Sequence, residues 1–219
     1  MIAADLMTDT IVPLRTSDTG AEALITMTDF YIRHLPVVNN ETLLALISEE
    51  DVLNADPAAA VGTYFQPNRP AAVLRTSHLY DVMKLVAEHK LTVVPVVDES
   101  ENYLGMITAE HLLRFFGETG TFRDPGSILV LSMTRHDYSM AEIARIVESE
   151  GAIVLSSFVQ SITDSGRIEV TIKLNSQQVG AIIATLERYD YTVKASFNER
   201  QLQDALKDRY DSLINYLNI

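Results

Sequence analysis

The stretch Leu35–Asp51, LPVVNNETLLALISEED, decides how the rest of the chain is read. An apolar-Pro-Val-Val run enters the polar turn Asn39-Asn40, and a second apolar run follows. Then comes a hydroxyl, Ser48, with a carboxylate, Asp51, three residues on. Two short apolar runs about an Asn pair predict a β-hairpin. A hydroxyl followed by Glu49, Glu50 and Asp51 predicts a helix start, where the dipole favours acids. Val94–His111, VPVVDESENYLGMITAEH, repeats the order with Thr108 for Ser48 and His111 for Asp51. Further upstream, Leu14-Arg15-Thr16-Ser17 recurs letter for letter as Leu74-Arg75-Thr76-Ser77. Several landmarks recurring in one order mark an internal duplication rather than chance.

Each repeat has the same predicted grammar. A short strand ends at the LRTS, and Ser17, Ser77 or Asp18 caps a helix. Leu24, Met27 and Tyr31 set the apolar face of that helix in the first copy; Val82, Leu85 and Val86 do so in the second. Strands are expected over 35–38 and 43–47, then over 93–97 and 103–107, each pair followed by a closing helix. A repeat of about sixty residues is marginal alone, so the two are expected to pack on each other.

After the breaker-rich string Phe116–Gly126 the grammar changes. Strand 128–133, helix 140–150 and strand 152–161 lead to a turn at Thr163-Asp164-Ser165-Gly166. Ile168, Val170, Ile172 and Leu174 then alternate with polar residues, the mark of a half-buried strand. Helix 179–186 and strand 191–197 complete a β-α-β-β-α-β order, the ferredoxin-like arrangement. A last helix from Glu199 carries Leu206, Tyr210, Leu213 and Leu217 at four-three-four spacing, a seam too short for an autonomous coiled coil.

Bulk properties restrict function. The 219 residues are 47% hydrophobic and contain no cysteine, which removes disulfides and thiolate chemistry. The net charge of −13, with seven Lys/Arg against seventeen Asp/Glu up to Phe122, disfavours nucleic acid and membrane surfaces. No apolar run approaches the ~18 residues of a membrane span, and MIAADLMTD is not built like a secretory leader. A cytoplasmic location is expected. There is no GxSxG, GxxxxGK or GxGxxG string, and the five histidines lack HxH or HExxH spacing. Neither catalysis nor a metal site is expected.

The two repeats resemble cystathionine β-synthase (CBS) domains in tandem, the Bateman module. The residues that carry the resemblance are Met7-Thr8, His34–Val38, Ser48–Asp51, Val94–Val97 and Gly105–His111. The third unit looks like an ACT-type domain, on topology more than motif. The order CBS-CBS-ACT, with Asp124-Pro125-Gly126-Ser127 in the linker, is similar to acetoin-utilisation accessory proteins of the AcuB type. The expected fold is therefore α/β (α+β). Its parts are a first CBS domain over 1–60, a second over 61–121, a linker over 122–126, an ACT-like domain over 127–198 and a C-terminal helix over 199–219.

The resemblance implies non-catalytic sensing of an adenosyl ligand, with AMP, ADP, ATP or S-adenosylmethionine as candidates and no required cofactor. In such modules the hydroxyl, here Ser48 or Thr108, meets phosphate, and the acid, here Asp51, holds the ribose diol. His111 stands where the second acid would be, and Ala45 where the first motif has glycine. The Pro36 and Pro95 runs would wall a planar purine. Arg33 and His34 are candidate phosphate contacts, placed by the reading that each cleft draws on both repeats beside Thr108 and His111. A homodimer, and a metabolic enzyme or regulator in acetoin or acetyl-CoA metabolism as partner, are expected. The alternatives are an oligomerisation scaffold with empty clefts and an amino-acid sensor acting through the ACT-like unit, whose loop 134–139 lacks glycine.

Overall fold

Alternating and continuous apolar runs become strands, and the acids after each hydroxyl become helix starts. The computed structural model describes residues 1–64, 70–163 and 165–198. The helix expected over 199–219 lies outside the described residues. The chain divides into two compact units, Met1–Gly117 and a second from Glu118 onward.

In the first unit, α1 (Gly20–Asp29) precedes the hairpin β1 (His34–Asn39) and β2 (Thr42–Ser48), closed by α2 (Glu49–Leu53). The second repeat runs β3 (Val73–Leu74), α3 (Leu79–His89), β4 (Val93–Val97), β5 (Tyr103–Thr108) and α4 (Ala109–Glu118). Both hairpins are antiparallel, and each carries a bulge, between Val37 and Val38 and between Val96 and Val97. Asn40 and Glu41 turn the first hairpin with φ of 45° and 71°, the paired positive φ that a tight two-residue loop needs. In the second, Asp98 Oδ1 accepts from Ser100 N–H and Asn102 N–H at 2.9 and 2.8 Å.

Two details differ from the sequence reading. The cap of α1 is Thr19, in a reciprocal box with Glu22, and the cap of α3 is His78, with Asp81. Neither Ser17, Ser77 nor Asp18 caps, because the acid three residues on selects the start. Tyr31 is not on the helix face: α1 ends at Asp29, and Tyr31 has φ 52° and is 91% exposed.

The repeats share their cores across the duplication. Val93 and Met106 of the second repeat are buried with Leu35, Val37 and Ile47 of the first. Ala3 and Leu6 are buried instead with Leu79, Val94, Val96 and Ile107 of the second. Backbone bonds hold that exchange: Ala3 N–H donates to Ser77 O at 2.8 Å and Thr8 N–H to Met106 O at 2.8 Å. Leu6, Val93 and Met106 each contribute about 1.5–3 kcal/mol on burial, so neither repeat keeps its full core without the other.

Within the breaker-rich stretch, α5 (Gly120–Arg123) forms one turn. The second unit then runs β6 (Ser127–Thr134), α6 (Met140–Ser149), β7 (Val154–Ser161), β8 (Arg167–Leu174), α7 (Gly180–Arg188) and β9 (Thr192–Asn198). The sheet order is β7-β8-β6-β9 with every pair antiparallel, which is the ferredoxin-like topology. Leu129, Leu131, Ile168, Val170, Ile172 and Leu174 face one way and pack with Ile143, Ile146, Ile182 and Leu186 of the two helices. Helices cover one face; the other carries the alternate residues, such as Val130 and Thr171.

Candidate ligand groove between the repeats

Cross-strand register builds the site. His34 and Ser48 are directly opposite on β1 and β2, and Val93 and Thr108 hold the same places on β4 and β5. Each hydroxyl ends its strand and caps the following helix. Ser48 Oγ accepts from Asp51 N–H at 3.1 Å, and Thr108 Oγ1 from His111 N–H at 3.0 Å. In the first copy the carboxylate answers: Asp51 Oδ2 accepts from Ser48 N–H at 2.8 Å and from Ser48 O–H at 2.7 Å. Asp51 Oδ1 has no partner among the described residues. His111 cannot return the bond as a carboxylate does, so the second cap is one-sided.

The ring of His34 joins the repeats. Thr92 N–H donates to His34 Nδ1 at 3.2 Å, and Thr92 Oγ1 lies 3.0 Å from the same nitrogen. Thr92 Oγ1 also accepts from Arg33 N–H at 2.8 Å. With Nδ1 accepting, the ring proton sits on Nε2. Burial, and then the charge of Arg33, hold the His34 imidazole below its ordinary pKa, against the opposite pull of Asp51. The Arg33 guanidinium bonds Glu49 through Nε at 3.0 Å, in a pair that is 69% and 37% exposed.

A groove of about 660 Å³ opens beside these groups, lined by His34, Leu46 and Ser48 from the first repeat. From the second repeat come Pro70, Ala71, Ala72, Leu85, His89 and Leu91. His34 thus belongs with Ser48, on its own hairpin. The sequence reading had sent Arg33 and His34 to Thr108 and His111; His34 lines the groove with Ser48, and it also bonds Thr92, whose O accepts from Ala109 N–H at 3.0 Å beside Thr108. Asp51 does not line the groove but holds Ser48 at its edge. Pro36 and Pro95 are buried within their hairpins, so the groove's apolar wall is Leu46, Ala71, Leu85 and Leu91 instead. Sequence reasoning missed these residues. For Ala71 the only signal was position, three residues before the repeated Leu74-Arg75-Thr76-Ser77, and Leu85 was legible only as part of an apolar helix face.

A second groove, of about 480 Å³, lies along the start of β5, and neither Thr108 nor His111 lines it. It is lined by Met7–Asp9, Ile11–Pro13 and Tyr103–Gly105 among others. Gly105 lets Met7 approach to ordinary contact, 3.4 Å from where a Cβ would stand. Burial raises the Tyr103 phenol well above its ordinary pKa. Among the described residues, no cluster of His, Asp and Glu could hold a metal ion, and no helix is long and apolar enough to cross a membrane.

Several known proteins are similar to this chain. A homoserine O-acetyltransferase of Methanocorpusculum labreanum is 31% identical over 119 residues, 51% of this chain. The chain spans only 23% of the length of that relative. Among solved structures, a protein assigned to acetoin utilization (AcuB) from Vibrio cholerae is 24% identical. The match covers 53% of this chain and 90% of that one at a TM-score of 0.47. A CBS domain pair/ACT domain protein from Thermotoga maritima is 22% identical, covering 54% and 98% at a TM-score of 0.47. CBSX2, in a complex with AMP, is 25% identical, covering 52% and 95% at a TM-score of 0.46. The family model of the CBS domain matches twice, at residues 3–58 and 61–118, more than half of the chain. Duplicated hairpins, exchanged cores and both matches agree: this chain belongs to the CBS-domain family.

Proposed function

We propose that this chain is a non-catalytic regulatory protein whose CBS pair senses an adenosyl compound, from the class of AMP, ADP, ATP and S-adenosylmethionine. The observation that carries the reading is the groove that joins Ser48 and His34 to the apolar wall of Leu46, Ala71, Leu85 and Leu91. The wall suits a purine. Asp51 would reach a ribose diol only where the ligand extends past Ser48 at the groove's edge, and the His34 Nε2–H would meet an acceptor on the ligand. Thr108 and His111 would serve a second cleft, apart from the 480 Å³ groove, which they do not line.

Binding would act on regulation by favouring one arrangement of the repeats over another, and only by its difference in affinity for the two. The bond from Thr92 to His34 is the contact best placed to feel an occupant. The second unit would serve assembly of a homodimer in the cytoplasm. The resemblance to acetoin-utilisation proteins directs the search for a regulated enzyme to acetoin and acetyl-CoA metabolism.

Calorimetry with AMP, ADP, ATP and S-adenosylmethionine tests the reading. Saturable binding weakened by Asp51→Ala supports it. No binding of any adenosyl compound at millimolar concentration sinks it and leaves an oligomerisation scaffold.

A second reading rests on a cavity of about 510 Å³ in the second unit, lined by Ser132–Thr134, Asp137, Glu142, Arg167 and Tyr189–Thr192. Arg167 there could meet a carboxylate and Asp137 an ammonium, the two ends of an amino acid. Amino-acid binding lost in Arg167→Ala but kept in Asp51→Ala would favour this alternative.

A further inference from the structure

The sheet of the second unit ends on one side at β7, and the outer edge of that strand is open. Ile162 N–H donates to Arg167 O at 3.0 Å, which makes Ile162 and Arg167 a hydrogen-bonded pair. Bonded pairs alternate along an antiparallel ladder, so in the register of β7 and β8 the next ones are Gln160 with Glu169 and Phe158 with Thr171. The N–H and C=O groups of Ser157, Val159 and Ser161 therefore point away from the sheet, and among the described residues they meet no partner. All of 157–161 are exposed, Phe158 by 68% and Val159 by 46%.

An open edge of this kind is ordinarily guarded by charge or proline. The opposite edge strand, β9, carries Lys194. Residues 152–163, AIVLSSFVQSIT, contain no charged residue and no proline. In a chain of net charge −13, this edge lets two copies meet without bringing carboxylates together.

We infer that β7 pairs with β7 of a second copy, antiparallel about a two-fold axis at Val159, joining the two sheets into one. The inference rests on the homodimer reading of the second unit and adds its surface and register. With the axis at Val159, Ser157 faces the partner's Ser161 and Val159 faces its own counterpart. All three outward residues then bond, about six bonds in all; moving the axis to Phe158 or Gln160 leaves about four. Val159 extends the buried row that Val170 begins, and Phe158 crosses the partner's Gln160 on the open face.

The full chain has no cysteine, so introduced thiols report the register directly. Val159→Cys places two thiols at the axis, with Cα atoms about 5.5 Å apart and within disulfide reach. In Ser157→Cys the two thiols are separated by about 13 Å along the strands. Under mild oxidation the first is expected to give a covalent dimer and the second none. Val159→Pro removes an N–H that β8 does not use, and Val159→Lys sets two like charges at the axis. Each is expected to halve the mass measured by light scattering, with Val159→Lys and the cysteine pair decisive even where the proline variant does not fold. A dimer whose mass neither substitution changes, or one linked through Ser157→Cys and not Val159→Cys, overturns this inference alone. An unaltered chain that stays monomeric at high concentration overturns the homodimer reading as well.

Discussion

His34 Nδ1 accepts a hydrogen bond from the Thr92 backbone N–H at 3.2 Å, tying the first hairpin to the start of the second across 58 residues of sequence. Protonation of Nδ1 removes the acceptor. The folded-state pKa of His34 lies below the ordinary 6.5, so the folded state binds fewer protons than the unfolded one in that range. Its contribution is whole above pH 6.5 and is lost as pH falls through the lowered folded value. Thermal unfolding between pH 7.5 and 5 should therefore fall less steeply in His34→Gln than in the unaltered protein. Equal slopes would remove His34 from the acid response.

Thr92→Val deletes the hydroxyl that accepts from Arg33 N–H and lies against His34. The Arg33 amide is left without that acceptor. A loss of about 1–2 kcal/mol is expected in urea denaturation. Thr92→Ser, which keeps the hydroxyl, should recover most of it.

Ser48 and Asp51 cap α2 reciprocally. Ser48→Ala should cost about 1 kcal/mol of stability. Asp51→Asn keeps a polar acceptor and should cost less. If Asp51 also holds a ribose, Asn should lower adenosyl affinity about tenfold, out of proportion to its effect on folding. A fall in affinity that merely tracks stability would make Asp51 a capping residue only.

In the second unit, Gly126 packs against the Leu174 carbonyl, and a Cβ there would overlap that oxygen. Gly126→Ala should destabilise by about 2–3 kcal/mol through forced backbone movement. Gly117, which would meet nothing within 4 Å, is the control: Gly117→Ala should be neutral or slightly stabilising. The comparison is read in denaturation midpoints.

Tyr191 is buried, donates from its hydroxyl to Glu142 Oε2 at 2.7 Å, and has its pKa pushed up to about 12. Burial is the first cause, followed by the bond to Glu142 and its charge. The neutral phenol is favoured in the folded state, so its contribution is whole below pH 10 and lost as pH rises toward 12. Ultraviolet titration should show a late phenol that Tyr191→Phe abolishes. A phenol lost from the ordinary range near pH 10 in that variant would contradict the bond.

The sequence by itself determined the duplication, both hairpins and the ferredoxin-like order of the second unit. Each follows from local pattern: LRTS recurring at a fixed interval, Pro-Val-Val runs ending in polar turns, and strict alternation from Ile168 to Leu174. Helix starts were legible only in part: Ser17 or Asp18 was expected to cap α1, but Thr19 does, with Glu22 as its reciprocal acid. The groove was another matter. Ser48, Asp51 and His34 could be named, but their grouping depends on which residues face each other across β1 and β2, and on a bulge that shifts that register. The wall of Leu46, Ala71, Leu85 and Leu91 joins residues distant in sequence, and the exchange of Ala3 and Leu6 for Val93 and Met106 leaves no periodic trace. Local propensity encodes elements one at a time; only the burial of one repeat's apolar surface against the other brings Thr92 to His34 and closes a groove beside Ser48.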